Sequence, residues 1–171
     1  RFLNHPVSSD TETLILGTFN PDVEGNEADF FYGRSRNFLW RLLPLAFNEP
    51  DLKKASKPEK LAFVLKHKIG FIDLIAEISV DAGQETNYND DYIDGRVTCW
   101  QEVISEMKKL TALKRVGFTR RTLTEIPGMK SRIEVIALFC NEHGIYFKPL
   151  PTPSRFYSSD KQEEWTGFFY N

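Results

Sequence analysis

The chain has 171 residues, of which 41% are hydrophobic and 27% charged, a length that suits one domain with a substantial buried core. Its 22 basic and 24 acidic side chains give a formal net charge of −2, which excludes a protein that coats nucleic acid through its overall charge. No apolar run has the length of a membrane span and no signal peptide is visible, so we predict a cytoplasmic protein.

Two cysteines, Cys99 and Cys140, lie far apart in the sequence, and neither has a partner at metal-ligand spacing. The simplest interpretation is a reduced intracellular protein with two thiols in its core.

The first predicted strand is a short apolar run from Leu14 to Leu16 that ends in a glycine and a turn. In an open parallel sheet, ligands bind beyond the carboxyl ends of the strands. Thr18, Asn20 and Asp22 follow this strand directly. We therefore expect them at a functional edge.

A loop rich in aromatic and basic residues comes next, ahead of an apolar helix. It contains Phe31, Tyr32, Arg34, Arg36 and Asn37. Rings stack on planar groups and guanidinium groups bind anions, so the loop suits a planar, anionic ligand. The alternative for Tyr32 is an ordinary core aromatic, and the alternative for the basic residues is a solvated charged face.

Helices and strands alternate over the rest of the chain. Apolar residues at helical spacing predict helices over residues 35–47, 56–67, 96–110, 131–143 and from 159 onward. Their capping pairs are Ser56 with Glu59, Ser131 with Glu134, and Ser159 with Gln162. Apolar runs predict strands over residues 69–74, 114–119 and 145–150. The polar residues 79–94 are predicted to be a surface loop, since they lack the glycine and terminal glutamate of an EF-hand calcium loop.

These elements predict a single domain over residues 1–171, an α/β fold with a three-layer α/β/α sandwich around a central, mostly parallel four-stranded sheet. Right-handed crossovers place the carboxyl ends of the strands at one edge. Asp73, residues 119–121 and residues 151–156 all fall at this edge. The loop that follows the first strand and residues 151–156 are therefore predicted to face each other across one cleft. For Asp73, a site residue and a turn or cap residue remain equal alternatives.

Three motifs in order resemble those of the uracil-DNA glycosylase superfamily, most closely its mismatch-specific and hypoxanthine-type branches. The first motif is Gly17-Thr18-Phe19 with Phe31-Tyr32-Gly33-Arg34-Ser35-Arg36-Asn37-Phe38-Leu39-Trp40. The second is Ile69-Gly70-Phe71-Ile72-Asp73-Leu74, and the third is Leu150-Pro151-Thr152-Pro153-Ser154-Arg155-Phe156, which resembles the proline-serine loop that enters the minor groove. The resemblance implies a DNA glycosylase of base-excision repair that hydrolyses the N-glycosidic bond of a flipped uracil, hypoxanthine or mispaired base.

The resemblance also implies roles for three groups of residues. The catalytic candidates, which would hold or activate the attacking water, are Asn37, Asn20 and Asp22. The base-binding candidates are Gly17, Thr18, Phe19, Tyr32 and Asp73. The DNA-binding candidates are Arg34, Arg36, Thr152, Pro153, Ser154, Arg155 and Phe156, the last two forming the wedge. The implied partner is DNA with a damaged or mispaired base, and the expected state is a metal-independent monomer that works without a cofactor, at the nucleoid of a bacterial-type cell.

The sequence departs from the family pattern in ways that keep alternatives open. Asp22 stands where a second glycine is often found, Arg34-Ser35 stands where relatives carry a histidine-proline pair, and the last motif lacks the histidine that stabilises a uracil anion. Two cysteines also fall short of the four ligands of the iron–sulfur branches. The alternatives are a catalytically inactive module that binds nucleic acid or a nucleotide, and a hydrolase of a free nucleoside or nucleotide. For each asparagine, turn or cap chemistry is the alternative role.

Overall fold

The computed structural model of the protein describes residues 2–3, 5–24 and 26–170. Its elements, in chain order, are β1 (Thr13–Gly17), α1 (Leu39–Ala46), α2 (Lys57–Lys66), β2 (Ile69–Asp73), β3 (Ile75–Ile78), α3 (Asp90–Asp94), β4 (Val97–Trp100), α4 (Val103–Met107), β5 (Arg115–Phe118), α5 (Pro127–Glu142), β6 (Tyr146–Pro149) and α6 (Ser159–Phe169).

A four-stranded sheet with strand order β2-β1-β5-β6 forms the centre of the fold. All three pairings in it are parallel, and the register sets Thr13 opposite Ile69 and Gly17 opposite Asp73. Helices flank the sheet, which confirms the predicted α/β sandwich with its parallel four-stranded centre.

Strand β1 is buried along its whole length because both faces of the sheet are covered. Leu14 and Leu16 belong to one hydrophobic cluster, which includes residues of α4 and α5, whereas Ile15 belongs to the other, which includes residues of α1, α2 and α6. The alternation of side chains along a strand divides the core in this way. It also explains why the strand reads as a continuous apolar run.

The helix predicted over residues 96–110 is wrong in its first half. Val97–Trp100 is the strand β4, which pairs antiparallel with β3 (Ile75–Ile78), and the helix α4 begins at Val103. Val97, Trp100 and Met107 nevertheless pack on the same cluster, either buried or partly buried. The spacing of these apolar residues therefore reflects packing on one core cluster, and it does not mark a continuous helix.

Several predicted boundaries also differ from the structure. The predicted loop 79–94 contains the short helix α3, and α5 begins at Pro127, so Ser131 lies inside the helix and not at its cap. The last helix is capped by Ser158 and not Ser159, because the Ser158 Oγ accepts a hydrogen bond from the Lys161 backbone N–H at 3.3 Å.

Other local predictions agree with the structure. The Glu59 carboxylate accepts a hydrogen bond from the backbone N–H of Ser56 at 2.7 Å, as a capping box requires. Cys140 is buried as predicted, but Cys99 is exposed on β4, so only one thiol lies in the core. None of the helices among the described residues is both long and apolar enough to cross a membrane.

Candidate functional site

The carboxyl ends of the four parallel strands lie along one edge of the sheet. Gly17 ends β1 and Asp73 ends β2, while Thr119 directly follows β5 and Leu150 directly follows β6. The register places Gly17 beside Asp73. Two of the five predicted base-binding residues are therefore direct neighbours.

The hydroxyl of Tyr32 reaches the middle of this edge. Its Oη lies 3.3 Å from Thr119 Oγ1, and the Thr119 hydroxyl donates to the Leu16 carbonyl oxygen at 3.2 Å. A Cβ on Gly17 would lie 2.8 Å from Tyr32 Oη and 2.1 Å from Asp73 Oδ1. Only glycine lets the Tyr32 hydroxyl and the Asp73 carboxyl come so close to the backbone at the end of β1. These three groups therefore lie together at one place.

The backbone of Tyr32 adopts a left-handed conformation with φ of 56°. For a residue with a side chain this costs about 1–2 kcal/mol, and such strain clusters at binding and catalytic sites. The Tyr32 ring is partly buried and lies 5.9 Å from the Phe71 ring, with 57° between the ring planes. Tyr32 therefore packs on the core while its hydroxyl serves the polar edge.

Burial changes the proton affinity of both groups at this place. It raises the pKa of Asp73 to about 7, although the positive charge of Arg34 opposes the rise. Burial, and secondly the charge of Asp73, raise the pKa of Tyr32 above its ordinary value. Near neutral pH the Asp73 carboxyl exists both as an acceptor and as a donor of hydrogen bonds, which is the behaviour of groups that meet ligands or protons.

A segment that we term the covering segment, residues 87–94, lies against this edge. The guanidinium carbon of Arg34 is 3.7 Å from the centre of the Tyr88 ring, and Asp90 forms an ion pair with Arg120. Burial lowers the pKa of Arg34, whereas Tyr88 and the Asp73 carboxylate act in the opposite direction. Two cations at the edge are thus already engaged by the protein itself.

The first and last motifs are in direct contact. Two backbone hydrogen bonds of 2.8 and 2.9 Å join residues 36–38 to residues 153–155. Between them Asn37 and Ser154 form an antiparallel bridge, with Asn37 Nδ2 3.5 Å from Ser154 Oγ, at the limit of a hydrogen bond. We term these residues the paired loops.

The side chain of Asn37 has a structural role as well. Its Oδ1 accepts a hydrogen bond from the backbone N–H of Leu39 at 2.9 Å, where α1 begins. This bond spans two residues, so it is the turn chemistry that the sequence left open, and the N-cap of α1 is Phe38. A carbonyl oxygen has a second lone pair, however, so Asn37 can hold a water without giving up this turn.

The other two catalytic candidates belong to a separate turn after β1. Asn20 Oδ1 accepts a hydrogen bond from Asn26 Nδ2 at 2.9 Å, and the same amide donates to the Pro21 carbonyl oxygen at 2.7 Å. Asp22 is exposed. The oxygen of Asn20 therefore stabilises the turn, which is the alternative role for this residue.

The remaining base-binding candidates connect the two sheets. The Thr18 carbonyl oxygen accepts a hydrogen bond from the Ile75 backbone N–H at 3.1 Å, and the partly buried Phe19 packs against the core cluster of α4 and α5. Both residues follow Gly17 directly. They lie at the predicted edge, and their observed contacts are structural.

Exposed positive charge collects at the paired loops. Arg36 and Arg155 are exposed, and no carboxylate among the described residues lies within 4.0 Å of either guanidinium group. Arg121 forms an ion pair with Glu164, as Arg120 does with the covering segment. The two candidate arginines of the paired loops are therefore the ones that can meet a phosphate without losing an internal partner.

The last motif forms an exposed loop after β6. Phe156 is 58% exposed, although it is a large apolar residue. Arg155 has a left-handed φ of 75°, and Thr152 Oγ1 accepts a hydrogen bond from the Ser154 backbone N–H at 3.3 Å. Pro153 is buried and anchors the loop.

A cavity of about 220 Å³ has Asp73 among its lining residues. Rings of Phe2, Phe31 and Phe71 line it together with the polar side chain of Gln101. Its walls can hold a small planar molecule, and Asp73 is shared between this cavity and the sheet edge.

Sequence reasoning did not include four residues of this region among its site candidates: Tyr88, Asp90, Thr119 and Lys161. Residues 119–121 were predicted to lie at this edge, but Thr119 was given no role although it follows a strand as Thr18 does. Tyr88 and Asp90 lie in a segment that read as a polar surface loop, and no local pattern indicates which distant arginine each one meets. Lys161 lies in a predicted helix whose cap was misplaced.

No protein-family model matches the chain, and no curated protein matches it. The function is therefore argued from the motifs and from the geometry of the sheet edge.

Proposed function

We propose that the protein is a metal-independent DNA glycosylase, which hydrolyses the N-glycosidic bond of a flipped uracil, hypoxanthine or mispaired base in DNA. The observation that carries the proposal is the contact between the paired loops, which puts Asn37 beside the exposed loop of Arg155 and Phe156. Removal of a base from a duplex needs a group that fills the gap, a place for the extruded base and a held water. Parts of the edge suit each need.

The gap would be filled by Phe156. Apolar side chains that insert between base steps unstack and kink the duplex, and a ring that is 58% exposed on a fixed loop has the reach for this. Arg36 and Arg155 would contact the flanking phosphates, which fixes the position of the duplex without reading its sequence.

The extruded base would lie against Tyr32, with its polar edge toward Asp73 and Thr119. Stacking on an aromatic ring contributes about 1–3 kcal/mol per base. The convergence of Asp73 and the Tyr32 hydroxyl on Gly17 supplies hydrogen-bonding groups in a place shielded from water. Polar groups there discriminate between bases because a wrong base leaves one of them unpaired.

The attacking water would be held by Asn37. The water oxygen forms the new bond to C1′ of the sugar, and the bond from C1′ to the base nitrogen breaks with its electron pair on the base. The water proton ends on the departing base or in solvent. Negative charge develops on the base, so a protonated Asp73 would stabilise it by donating a hydrogen bond.

A strand-cleavage assay tests this function. Purified protein in EDTA is incubated with duplexes that carry one uracil, one hypoxanthine or one mispaired thymine, and alkali then cleaves abasic sites. We expect product from at least one duplex, a loss with Asn37→Ala and Tyr32→Ala, and no change with Asn141→Ala, an exposed asparagine of α5. No product on any duplex, or equal product from all variants, contradicts a glycosylase with these residues.

The second candidate is a module that binds nucleic acid or a nucleotide without catalysis. Two observations favour it: the oxygen of Asn37 already accepts the Leu39 backbone N–H, and the cavity lined by Phe31, Phe71 and Asp73 offers a place for a free base. Salt dependence separates the two ligands. Duplex binding weakens steeply with salt because several counterions are released, whereas binding of one small nucleotide depends on salt only weakly.

A further inference from the structure

Lys161 lies buried beneath the exposed loop that carries Phe156. It is 9% exposed, and its Nζ donates to the Ser154 carbonyl oxygen at 3.1 Å and to the Phe156 carbonyl oxygen at 2.9 Å. The same Nζ lies 3.9 Å from the centre of the Phe156 ring. One ammonium group thus contacts the loop backbone twice and the exposed ring once.

The position of Lys161 in its helix does not stabilise its positive charge. Lys161 lies in the first turn of α6, where the helix dipole favours anions and disfavours cations. In the described part of the chain, no carboxylate lies within 4.0 Å of its ammonium group. Burial, and secondly the charge of Arg155, lower the pKa of Lys161. A buried cation without a counter-ion is costly, so its contacts with the loop must offset that cost.

The loop above Lys161 is held in a strained shape. Arg155 has a φ of 75°, which a residue with a side chain adopts only when its surroundings enforce it. Its backbone N–H donates to the Arg36 carbonyl oxygen at 2.9 Å on one side, and Lys161 binds the carbonyls of both neighbours on the other side. Removal of the ammonium group leaves only one of these two restraints.

We propose that Lys161 is a positioning residue for this loop: it holds residues 154–156 in the shape that presents Phe156, and it meets a backbone phosphate when the ring moves into the duplex. The first part concerns the protein alone. The second part rests on the proposed DNA function. A phosphate fits there because the ring covers the ammonium group now, and its departure exposes a cation beside Arg155.

The first test needs no DNA. Trypsin cleaves after Arg155 only when the loop opens, so the rate of cleavage at this bond, followed by mass spectrometry, reports the restraint. We expect cleavage at least about tenfold faster in Lys161→Met than in the wild type, which is the effect of losing two charge-assisted hydrogen bonds from a local opening equilibrium. Lys161→Arg keeps both donors and should restore slow cleavage.

Lys60→Met is the matched control for a buried lysine. Lys60 is 4% exposed on α2, and its Nζ lies 3.6 Å from the Asp29 carboxylate, away from the loop. Urea unfolding of every variant separates local opening from a general loss of stability. If Lys161→Met does not fold, Phe156→Ala supplies the second measurement: removal of the covering ring should increase acetylation of Lys161 by an amine reagent several-fold over the wild type.

The second test is a double-mutant cycle on binding of a fluorescein-labelled duplex with one G·T mispair. Phe156→Ala should weaken binding about tenfold in the wild type and much less in Lys161→Met, because without the lysine the ring is no longer held in place. Equal effects in both backgrounds overturn the coupling. Equal trypsin cleavage in Lys161→Met and the wild type overturns the positioning role, whatever the DNA result. Faster cleavage in a protein that binds no duplex supports the positioning role and rejects the DNA function alone.

Discussion

Two parts of one sheet edge are built in opposite ways. At the ends of β1 and β2, Gly17, Tyr32 and Asp73 form a tight, largely buried place where proton affinities are altered. After β6, Arg155 and Phe156 are exposed to solvent, and contacts on the protein side of their loop hold it in place. Under the proposed function, the buried part would suit recognition of a single base, and the exposed part would suit contact with a duplex.

Removal of the Asp73 charge from the buried part should have the largest effect on the free energy of unfolding. Asp73 titrates near 3.8 when unfolded and at about 7 when folded, so between these values the folded state binds more protons. The free energy of unfolding therefore falls as pH rises from about 4 to about 7, by up to about 4 kcal/mol from this group. Asp73→Asn should remove that fall, so that the variant is more stable than the wild type at neutral pH.

Urea unfolding at a series of pH values measures this effect. Glu142→Gln, at an exposed acidic position at the end of α5, is the control and should keep the wild-type slope. If Asp73→Asn and the wild type show the same slope between about pH 4 and about pH 7, burial does not change the Asp73 pKa in the way described.

Gly17→Ala should disrupt the same buried part by steric overlap. The new Cβ would lie 2.1 Å from Asp73 Oδ1 and 2.8 Å from Tyr32 Oη, so both groups must move. We expect a loss of about 1–3 kcal/mol in the free energy of unfolding, together with a loss of glycosylase product. Gly167→Ala in α6 is the control, because a Cβ there meets nothing within 4 Å and should stabilise the helix by about 0.5–1 kcal/mol. Urea unfolding measures both changes. If Gly17→Ala is as stable as the wild type, the end of β1 is not closely packed.

Asp90→Asn should release the Arg120 guanidinium group from its ion pair. Loss of the ion pair with Arg120 should cost about 1–2 kcal/mol, since the two side chains are only 21% and 24% exposed. Under the proposed function, the freed guanidinium can meet a phosphate, so the slope of log K against log salt should steepen by about one. Asp81→Asn, which breaks the ion pair with Arg96, is the control and should leave the slope unchanged. An unchanged slope in Asp90→Asn means that Arg120 lies outside the duplex contact.

Phe156→Ala should have the smallest effect on stability and should act on the outward part alone. The ring is 58% exposed, so we expect a change of less than about 0.5 kcal/mol in the free energy of unfolding, but clearly weaker duplex binding. Leu138→Ala removes an apolar side chain of matched exposure, 57%, from α5 and should change neither quantity. Fluorescence anisotropy with a mispaired duplex measures the binding. Equal binding by both variants would remove Phe156 from the proposed interface.

The sequence predicted the sheet and the polar groups at the carboxyl ends of its strands because both follow from local patterns. The apolar runs at β1, β2 and β5 are buried strands, and parallel strands bring their carboxyl ends to one edge. Val97–Trp100 was assigned wrongly for a physical reason. A strand followed by a helix on the same core gives apolar positions at nearly helical spacing, and spacing alone does not locate the change.

Parts of the candidate site were beyond prediction because they depend on side chains from distant segments. The contacts of Arg34 with Tyr88 and of Arg120 with Asp90 join separate loops, and no period in the sequence encodes either pair. The burial of Lys161 depends on the course of the loop above it. The turn roles of Asn37 and Asn20 were foreseen as alternatives, and the observed hydrogen bonds show that both asparagines have them.

The contact between Asn37 and Ser154 joins residues that are 117 positions apart. Contacts of such high sequence separation form late in folding, because a long loop must be closed before they contribute. During synthesis the first motif is complete long before the last one exists, so the edge has only one of its walls until the chain has been made past residue 154. Ligand binding at this edge would therefore report complete folding, and a fragment that stops before residue 154 would keep β1 and β2 but lack the wall opposite Asn37.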